Sequence, residues 1–175
     1  MVHADEIYNL YKKIQEKYYK LAEYQQESIK LWLAKLSEKG FGTFLGADFV
    51  NSYTSGFISP WQKLLLVDSS SICLDATHSI TTVDKSILYT ITTRHPVSGT
   101  GCPVAYMFTT DHSMSQVAQF FRFLRGHVGL TQPKPKKITI DVSSAEHGAI
   151  NKVYPNVNVQ WCLFRVARAW CCVEI

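Results

Sequence analysis

The sequence has no apolar run close to the roughly 20 residues that a membrane-spanning helix needs. Its first residues, MVHADEIYNLYKK, also lack the apolar stretch of a secretory signal. We therefore expect neither a membrane-spanning nor a secreted protein. The five cysteines are an odd number without the regular spacing of a disulfide framework, so we expect reduced thiols.

Charged residues are few, at 18% of the chain, while hydrophobic residues make up 46%. This balance is typical of a folded domain and excludes an intrinsically disordered chain. The net charge of +4 is concentrated near one end, since residues 121–175 contain eight Lys and Arg against three acidic residues. A basic segment indicates a polyanionic partner, but charge alone fits a solvated basic surface equally well.

Residues 1–40 are predicted to form two helices. Each has an apolar stripe at intervals of three and four residues, and Gly40 ends the second helix; the stripes are Ile7, Leu10, Tyr11, Ile14, Tyr18 and Leu21, then Ile29, Trp32, Leu33 and Leu36. The pair either packs on the main domain or forms a dimerising arm. We favour packing, because short helices need another surface to bury their stripes. Residues 41–70, rich in glycine, are predicted to be an irregular connection.

Residues 71–175 alternate between β-rich and helical patterns. The predicted strands are 72–74, 86–94, 103–110, 138–140 and 157–162, and helical patterns follow the third, fourth and fifth of them. A three-strand meander followed by β-α-β-α units predicts an α/β domain with a mixed sheet and helices on its faces.

Two aspartates stand out by position. Asp75 and Asp141 each follow a short, fully apolar strand, where an unpaired buried charge would be costly. If the two strands pair in parallel, both carboxylates lie at one edge of the sheet and form a site for a hard cation such as Mg²⁺. Two such ions support phosphodiester chemistry. The alternative is that each aspartate caps a turn or the next helix.

Several stretches, in this order, resemble the MULE (Mutator-like element) transposase domain of the ribonuclease-H-like DDE superfamily: ICLDATH (72–78), ILYTITTRH (87–95), PVAYMFT (103–109), ITIDVSSAEHGAI (138–150) and WCLFRVARAW (161–170). The N-terminal segment also resembles the helical segment that precedes this core in some members. The resemblance implies a ribonuclease-H-like fold, a nuclear location and cleavage and joining of transposon ends. It also implies a catalytic, metal-binding triad, with Asp75 and Asp141 as its first two carboxylates and Mg²⁺ or Mn²⁺ as cofactor.

The sequence departs from this family at two points. In the family's Cys-x-x-His element Cys162 matches the cysteine, but Arg165 stands in place of the histidine, and a guanidinium is not an ordinary metal ligand. The family's third carboxylate lies on a later helix. Glu174 comes too early for it, and Glu146 has the spacing of a helix-capping residue after Ser143. We therefore expect a core truncated before the third carboxylate, with weak metal binding and no cleavage by this chain alone.

The expected partner is DNA. Basic residues in the last third of the chain could contact phosphates, although the lysines could equally be a solvated loop and the arginines could instead pack around Phe and Trp; they are Lys134, Lys136, Lys137, Arg165 and Arg168. A homodimer through the N-terminal helices is a further expectation. The alternative function is a domesticated or relic module that binds nucleic acid or another protein without catalysis.

Overall fold

The computed structural model describes residues 4–79, 81, 83–131 and 134–171, and the chain divides into two units, Met1–Lys39 and Gly40–Ile175. The first unit consists of α1 (Ala4–Tyr18) and α2 (Gln25–Glu38), which confirms the two predicted helices. Their connection is held by the Trp32 indole, whose Nε1 donates to the Tyr19 carbonyl at 2.8 Å. The stripe of α1 is exposed, with Ile7 59% and Leu10 60% accessible.

The second unit is built on a mixed sheet. Its described strands are β1 (Gly42–Leu45), β2 (Ser55–Ile58), β3 (Ser71–His78), β4 (Ile87–Arg94), β5 (Gly101–Thr109), β6 (Lys137–Ile140) and β7 (Asn158–Trp161). They lie side by side in the spatial order β1-β2-β5-β4-β3-β6-β7. The neighbouring strands from β1 across to β3 in this order pair antiparallel, whereas β3–β6 and β6–β7 are parallel, which confirms an α/β fold with a mixed sheet.

Helices connect these strands, and local sequence explains how some of them begin and end. The helices are α3 (Phe49–Ser52), α4 (Pro60–Val67), α5 (Met114–Phe123), α6 (Ser144–Val153) and α7 (Leu163–Cys171). A reciprocal capping box between Ser59 and Gln62 starts α4, with Pro60 at the first helical position. A π-helical turn, Leu124–Val128, continues α5 and ends at Gly129 in the left-handed conformation. No helix in the described ranges is long and apolar enough to cross a membrane.

The irregular connection predicted for residues 41–70 is wrong. This segment contains β1, α3, β2 and α4, and β2 pairs with β5 to extend the meander. The glycines that indicated a loop instead allow close packing. A Cβ atom on Gly56 would lie 2.3 Å from Phe44 Cε1 and 2.5 Å from the Tyr106 carbonyl oxygen, so only glycine fits at this strand position.

The two faces of the sheet differ, because alternate residues of a strand point to opposite sides. Ile72 and Leu74 of β3 belong to a buried core that also contains residues of α5 and α6, such as Phe121 and Ile150. The residues between them are only partly covered, and we call their side the open face; on β3, β4 and β6 it carries Cys73, Asp75, Thr90, Thr92 and Thr139. The site described below lies at the end of this open face.

The contacts of Gly56 generate a prediction about stability. Gly56→Ala should lower the free energy of unfolding by about 1–3 kcal/mol, because the carbonyl that faces the new methyl group belongs to a paired strand. Gly126→Ala is the matched control, since a Cβ there has no described heavy atom within 4 Å, and it should be neutral or stabilising by up to about 1 kcal/mol. Urea unfolding measures both; equal effects would contradict the argument.

Candidate active site

Asp75 and Asp141 are brought together by strand pairing. β3 and β6 are parallel neighbours, and their paired register ends at Cys73↔Thr139. Asp141 follows the last residue of β6, and the register continued by two residues would bring it level with Asp75. The predicted parallel pairing of the two apolar strands is therefore confirmed. The predicted strand end at Asp75 is wrong, because β3 continues to His78 and Asp75 lies opposite Thr90 of β4.

One guanidinium contacts both carboxylates. Arg165 Nη2 lies 3.6 Å from Asp75 Oδ1, and Arg165 Nε lies 3.2 Å from each carboxylate oxygen of Asp141. Arg165 is in the first turn of α7, and this turn is tied to the end of β6. The Cys162 N–H donates to the Ile140 carbonyl at 2.7 Å, and the Cys162 carbonyl accepts from Val166 N–H at 3.0 Å. The backbone thus holds Arg165 beside the aspartates.

Glu146 is buried in the structure, a position that its pattern in the sequence does not predict. As predicted for a helix cap, Ser143 Oγ accepts from the Glu146 N–H at 3.3 Å. The reciprocal half of the capping box is absent, because the Ser143 N–H donates to the Asp141 carbonyl instead. The Glu146 side chain is 1% exposed, and its Oε2 has no hydrogen-bond partner in the described part of the chain. The position of an acidic residue in the first turn of the helix after Asp141 is the sequence feature that indicates proximity to the aspartates.

The surroundings of Glu146 favour its neutral form. Burial, and then the negative charges of Asp141 and Asp75, raise the pKa of Glu146 to about 8, against the opposing effects of a backbone hydrogen bond from Asp141 and the charge of Arg165. Burial, followed by Cys162 and the same carboxylates, raises the pKa of the Cys73 thiol to about 11. At neutral pH both groups are therefore mainly protonated, and the negative charge of the site resides on Asp75 and Asp141.

A hydrogen-bonded chain supports the start of α6 from the β4 side. The buried Tyr89 hydroxyl is hydrogen-bonded to His112 Nδ1, and His112 Nε2 lies 3.4 Å from Ser143 Oγ. The pKa of His112 is lowered, first by burial and then by the nearby His78, with Asp111 acting in the opposite direction. A neutral His112 can accept a hydrogen bond at one ring nitrogen and donate one at the other, so it can link Tyr89 to Ser143.

The arrangement fits one cation, and Arg165 already supplies it. Carboxylate oxygens are the ligands that Mg²⁺ prefers, but Mg²⁺ needs them at about 2.1 Å in near-octahedral geometry. Here the guanidinium engages both oxygens of Asp141 and one of Asp75. No group of three or more potential metal-ligating side chains exists among the described residues. The residues as arranged therefore do not fit Mg²⁺ in addition to Arg165.

The predicted DNA-contacting residues are spread apart. Lys134 Nζ lies 3.6 Å from Asp68 Oδ1 and donates to the Asp68 carbonyl at 3.1 Å. The lysine therefore forms an ion pair within the protein. Lys136 and Lys137 are exposed at the start of β6, and Lys137 is about 13 Å along the strand from Asp141. Cys162, which matches the cysteine of the family's Cys-x-x-His element, is a half-buried free thiol. The side chain of Arg168 lies outside the described residues.

The raised pKa of Glu146 generates a prediction about pH. With a pKa of 4.5 when unfolded and about 8 when folded, protonated Glu146 supports the fold below pH 4.5, and this support is lost as pH rises through 8. Glu146→Gln should therefore gain stability relative to the native chain between pH 5 and pH 9, on the order of a few kcal/mol. Denaturant unfolding at several pH values measures this gain. Glu38→Gln, on exposed surface, is the control, and an equal pH trend in both variants would refute the assignment.

Comparison with known families places this geometry in context. The family model of the MULE transposase domain matches residues 71–169, the stretch from β3 into α7 that contains Asp75, Asp141 and Arg165. No curated protein matches the sequence. The family match covers more than half of the 175 residues and agrees with the order of the sequence blocks described above. This chain belongs to the MULE transposase domain family.

Proposed function

We propose that this chain is the core of a MULE-type DDE transposase that binds DNA in the nucleus, with metal-dependent cleavage and strand transfer as its ancestral activity. Family membership supports a transposase-related role that involves DNA. The observation that supports the finer proposal is that Asp75, on β3, and Asp141, directly after the parallel strand β6, are close enough for Arg165 to contact both. Paired carboxylates on a rigid sheet are the arrangement that metal-dependent phosphodiester chemistry uses.

The strand order supports the ribonuclease-H-like part of the proposal. Three antiparallel strands, β5-β4-β3, are followed in space by two parallel strands, β6 and β7. In the chain α5 lies between β5 and β6, and α6 lies between β6 and β7, as the crossover connections of parallel strands require. In this proposal β1 and β2 are an addition at the meander edge.

We expect the chain itself to cleave DNA poorly or not at all. Arg165 contacts both carboxylates that would hold Mg²⁺ or Mn²⁺, so binding of either ion should be weak. The same contact favours the alternative function, a domesticated or relic nucleic-acid-binding module without catalysis. The homodimer through the N-terminal helices stays a prediction, for which the exposed Ile7 and Leu10 of α1 are the support.

The open face of the sheet is the proposed DNA surface. A cavity of about 370 Å³ lies on this face. Residues of β3, β4 and β6 line it, among them Arg94 of β4 and Lys137 of β6. Arg94 is oriented by a hydrogen bond from its Nε to the Gly99 carbonyl at 3.1 Å. Lys137 and Asp141 lie on the same face of β6 because residues of equal parity share a face. A DNA strand on this face would place phosphates at Arg94 and Lys137 and continue toward the aspartates.

DNA binding should depend on salt and on Lys137. We expect weak, sequence-independent affinity for duplex DNA that falls as salt rises, because released counterions drive phosphate contacts. Lys137→Gln should weaken binding and reduce the slope of log K against log salt by about 1. Lys152→Gln is the matched control, since it removes the same charge from α6, which packs against the buried face. Fluorescence anisotropy measures both; salt-independent binding, or equal losses in both variants, would contradict the proposed surface.

Nicking of supercoiled plasmid tests the catalytic part. With Mg²⁺ or Mn²⁺ the purified chain should leave the plasmid intact, because Arg165 competes with the ions for Asp75 and Asp141. The Asp75→Ala variant, analysed beside it on the same agarose gel, should give the same result. Metal-dependent nicking that disappears in Asp75→Ala would show that the two aspartates suffice for cleavage.

A further inference from the structure

We propose that Arg165 is a built-in cation that takes the place of a divalent metal ion between Asp75 and Asp141, and that removing its charge creates a divalent-cation site there. The proposal deepens the proposed function, because it gives the cause of weak metal binding. It rests on membership of the transposase family and on contacts within this chain, and it does not depend on DNA binding.

The first argument is the geometry of the contact. Arg165 approaches both aspartates, through Nη2 to Asp75 and through Nε to Asp141. Nε is 3.2 Å from each oxygen of Asp141, so neither oxygen of this carboxylate is left without a cationic neighbour. A single guanidinium thus contacts both carboxylates and supplies the positive charge that a divalent ion held by Asp75 and Asp141 would supply.

The second argument is charge. Two carboxylates and one guanidinium leave a single negative charge. A divalent ion that entered beside Arg165 would be repelled by the guanidinium and would have to displace it from the Asp141 oxygens. The Asp75 side chain is 49% exposed and that of Asp141 22% exposed, so access from solvent does not limit ion entry. Competition with Arg165 therefore limits metal binding.

The third argument is attachment. The Cys162 N–H donates to the carbonyl of Ile140, the residue before Asp141, and Cys162 begins the turn that carries Arg165. The guanidinium is thus attached close to the carboxylates at a high effective concentration, whereas Mg²⁺ must bind from solution. Removal of the positive charge would leave the oxygens of Asp75 and Asp141 near water on the open face. Hard cations with oxygen ligands, Mg²⁺ and Mn²⁺, fit that set.

Mn²⁺ titration followed by electron paramagnetic resonance tests the proposal without DNA. The native chain should show no saturable Mn²⁺ site that depends on Asp75. Arg165→Gln should bind one Mn²⁺ at least about tenfold more tightly than the native chain, and Mg²⁺ should compete. Arg165→Lys, which keeps a positive charge, should remain close to the native chain. The double variant Arg165→Gln, Asp75→Asn should lose the new site.

Thermal unfolding provides a second readout. In EDTA, Arg165→Gln should melt at a lower temperature than the native chain, because Asp75 and Asp141 then repel each other. Mg²⁺ should raise its melting temperature but not that of the double variant. Arg122→Gln, which removes an exposed arginine of α5, is the control and should show neither effect.

Two results would overturn the proposal: a folded Arg165→Gln that binds no Mn²⁺, and a native chain whose Mn²⁺ site is removed by Asp75→Asn. If Arg165→Gln does not fold in EDTA, the comparison of the native chain with Asp75→Asn decides by itself. Failure of the DNA-binding proposal is distinguishable, because it would appear only in the anisotropy measurements.

Discussion

The parallel pairing of β3 with β6 is the constraint on which the candidate site depends. It joins two strands that are far apart in the chain and brings their aspartates level with each other. The pairing also determines what lies around them. The end of β6 leads into α6, which carries Glu146, and its Ile140 carbonyl holds the start of α7, which carries Arg165. Asp75, Asp141, Glu146 and Arg165 are therefore all positioned by the pairing of β3 with β6 and by the segments attached to β6.

The alternation of side chains along the strands separates stability from function in this unit. The inward residues of β3, β4 and β6 form a core with α5 and α6, and this core requires apolar side chains of defined size. Several of the outward residues are polar and remain partly exposed, among them Thr90, Thr92 and Thr139. Such a face contributes little to burial, so it is available for contact with another molecule, and the site lies at its end.

The electrostatics of the site are internally balanced. Arg165 neutralises part of the charge on Asp75 and Asp141, and burial keeps Glu146 mainly protonated near neutral pH. An acidic cluster that depended on a bound metal would be left with mutual repulsion in its absence. Here the counter-charge belongs to the chain, so the fold keeps the aspartates together without an external ion. This balance is why family membership and the details of this site lead to different expectations for catalysis.

The sequence by itself determined the α/β class, the two N-terminal helices and the main strands from residue 71 onward, because apolar periodicity is a local property. It also predicted the parallel pairing of the two apolar strands that carry or precede Asp75 and Asp141. The family resemblance added the identity of the domain, which the family match confirms. Only the tertiary structure decided the rest. The short strands β1 and β2 carry glycines that fit close packing with distant residues, so their local pattern indicated a loop. The burial of Glu146 and the contact of Arg165 with both aspartates depend on where α6 and α7 lie against the sheet. Contacts between residues distant in the chain leave no periodic signal in the sequence. The sequence therefore identified Arg165 as a departure from the family's histidine, but it did not predict the contact of Arg165 with both aspartates.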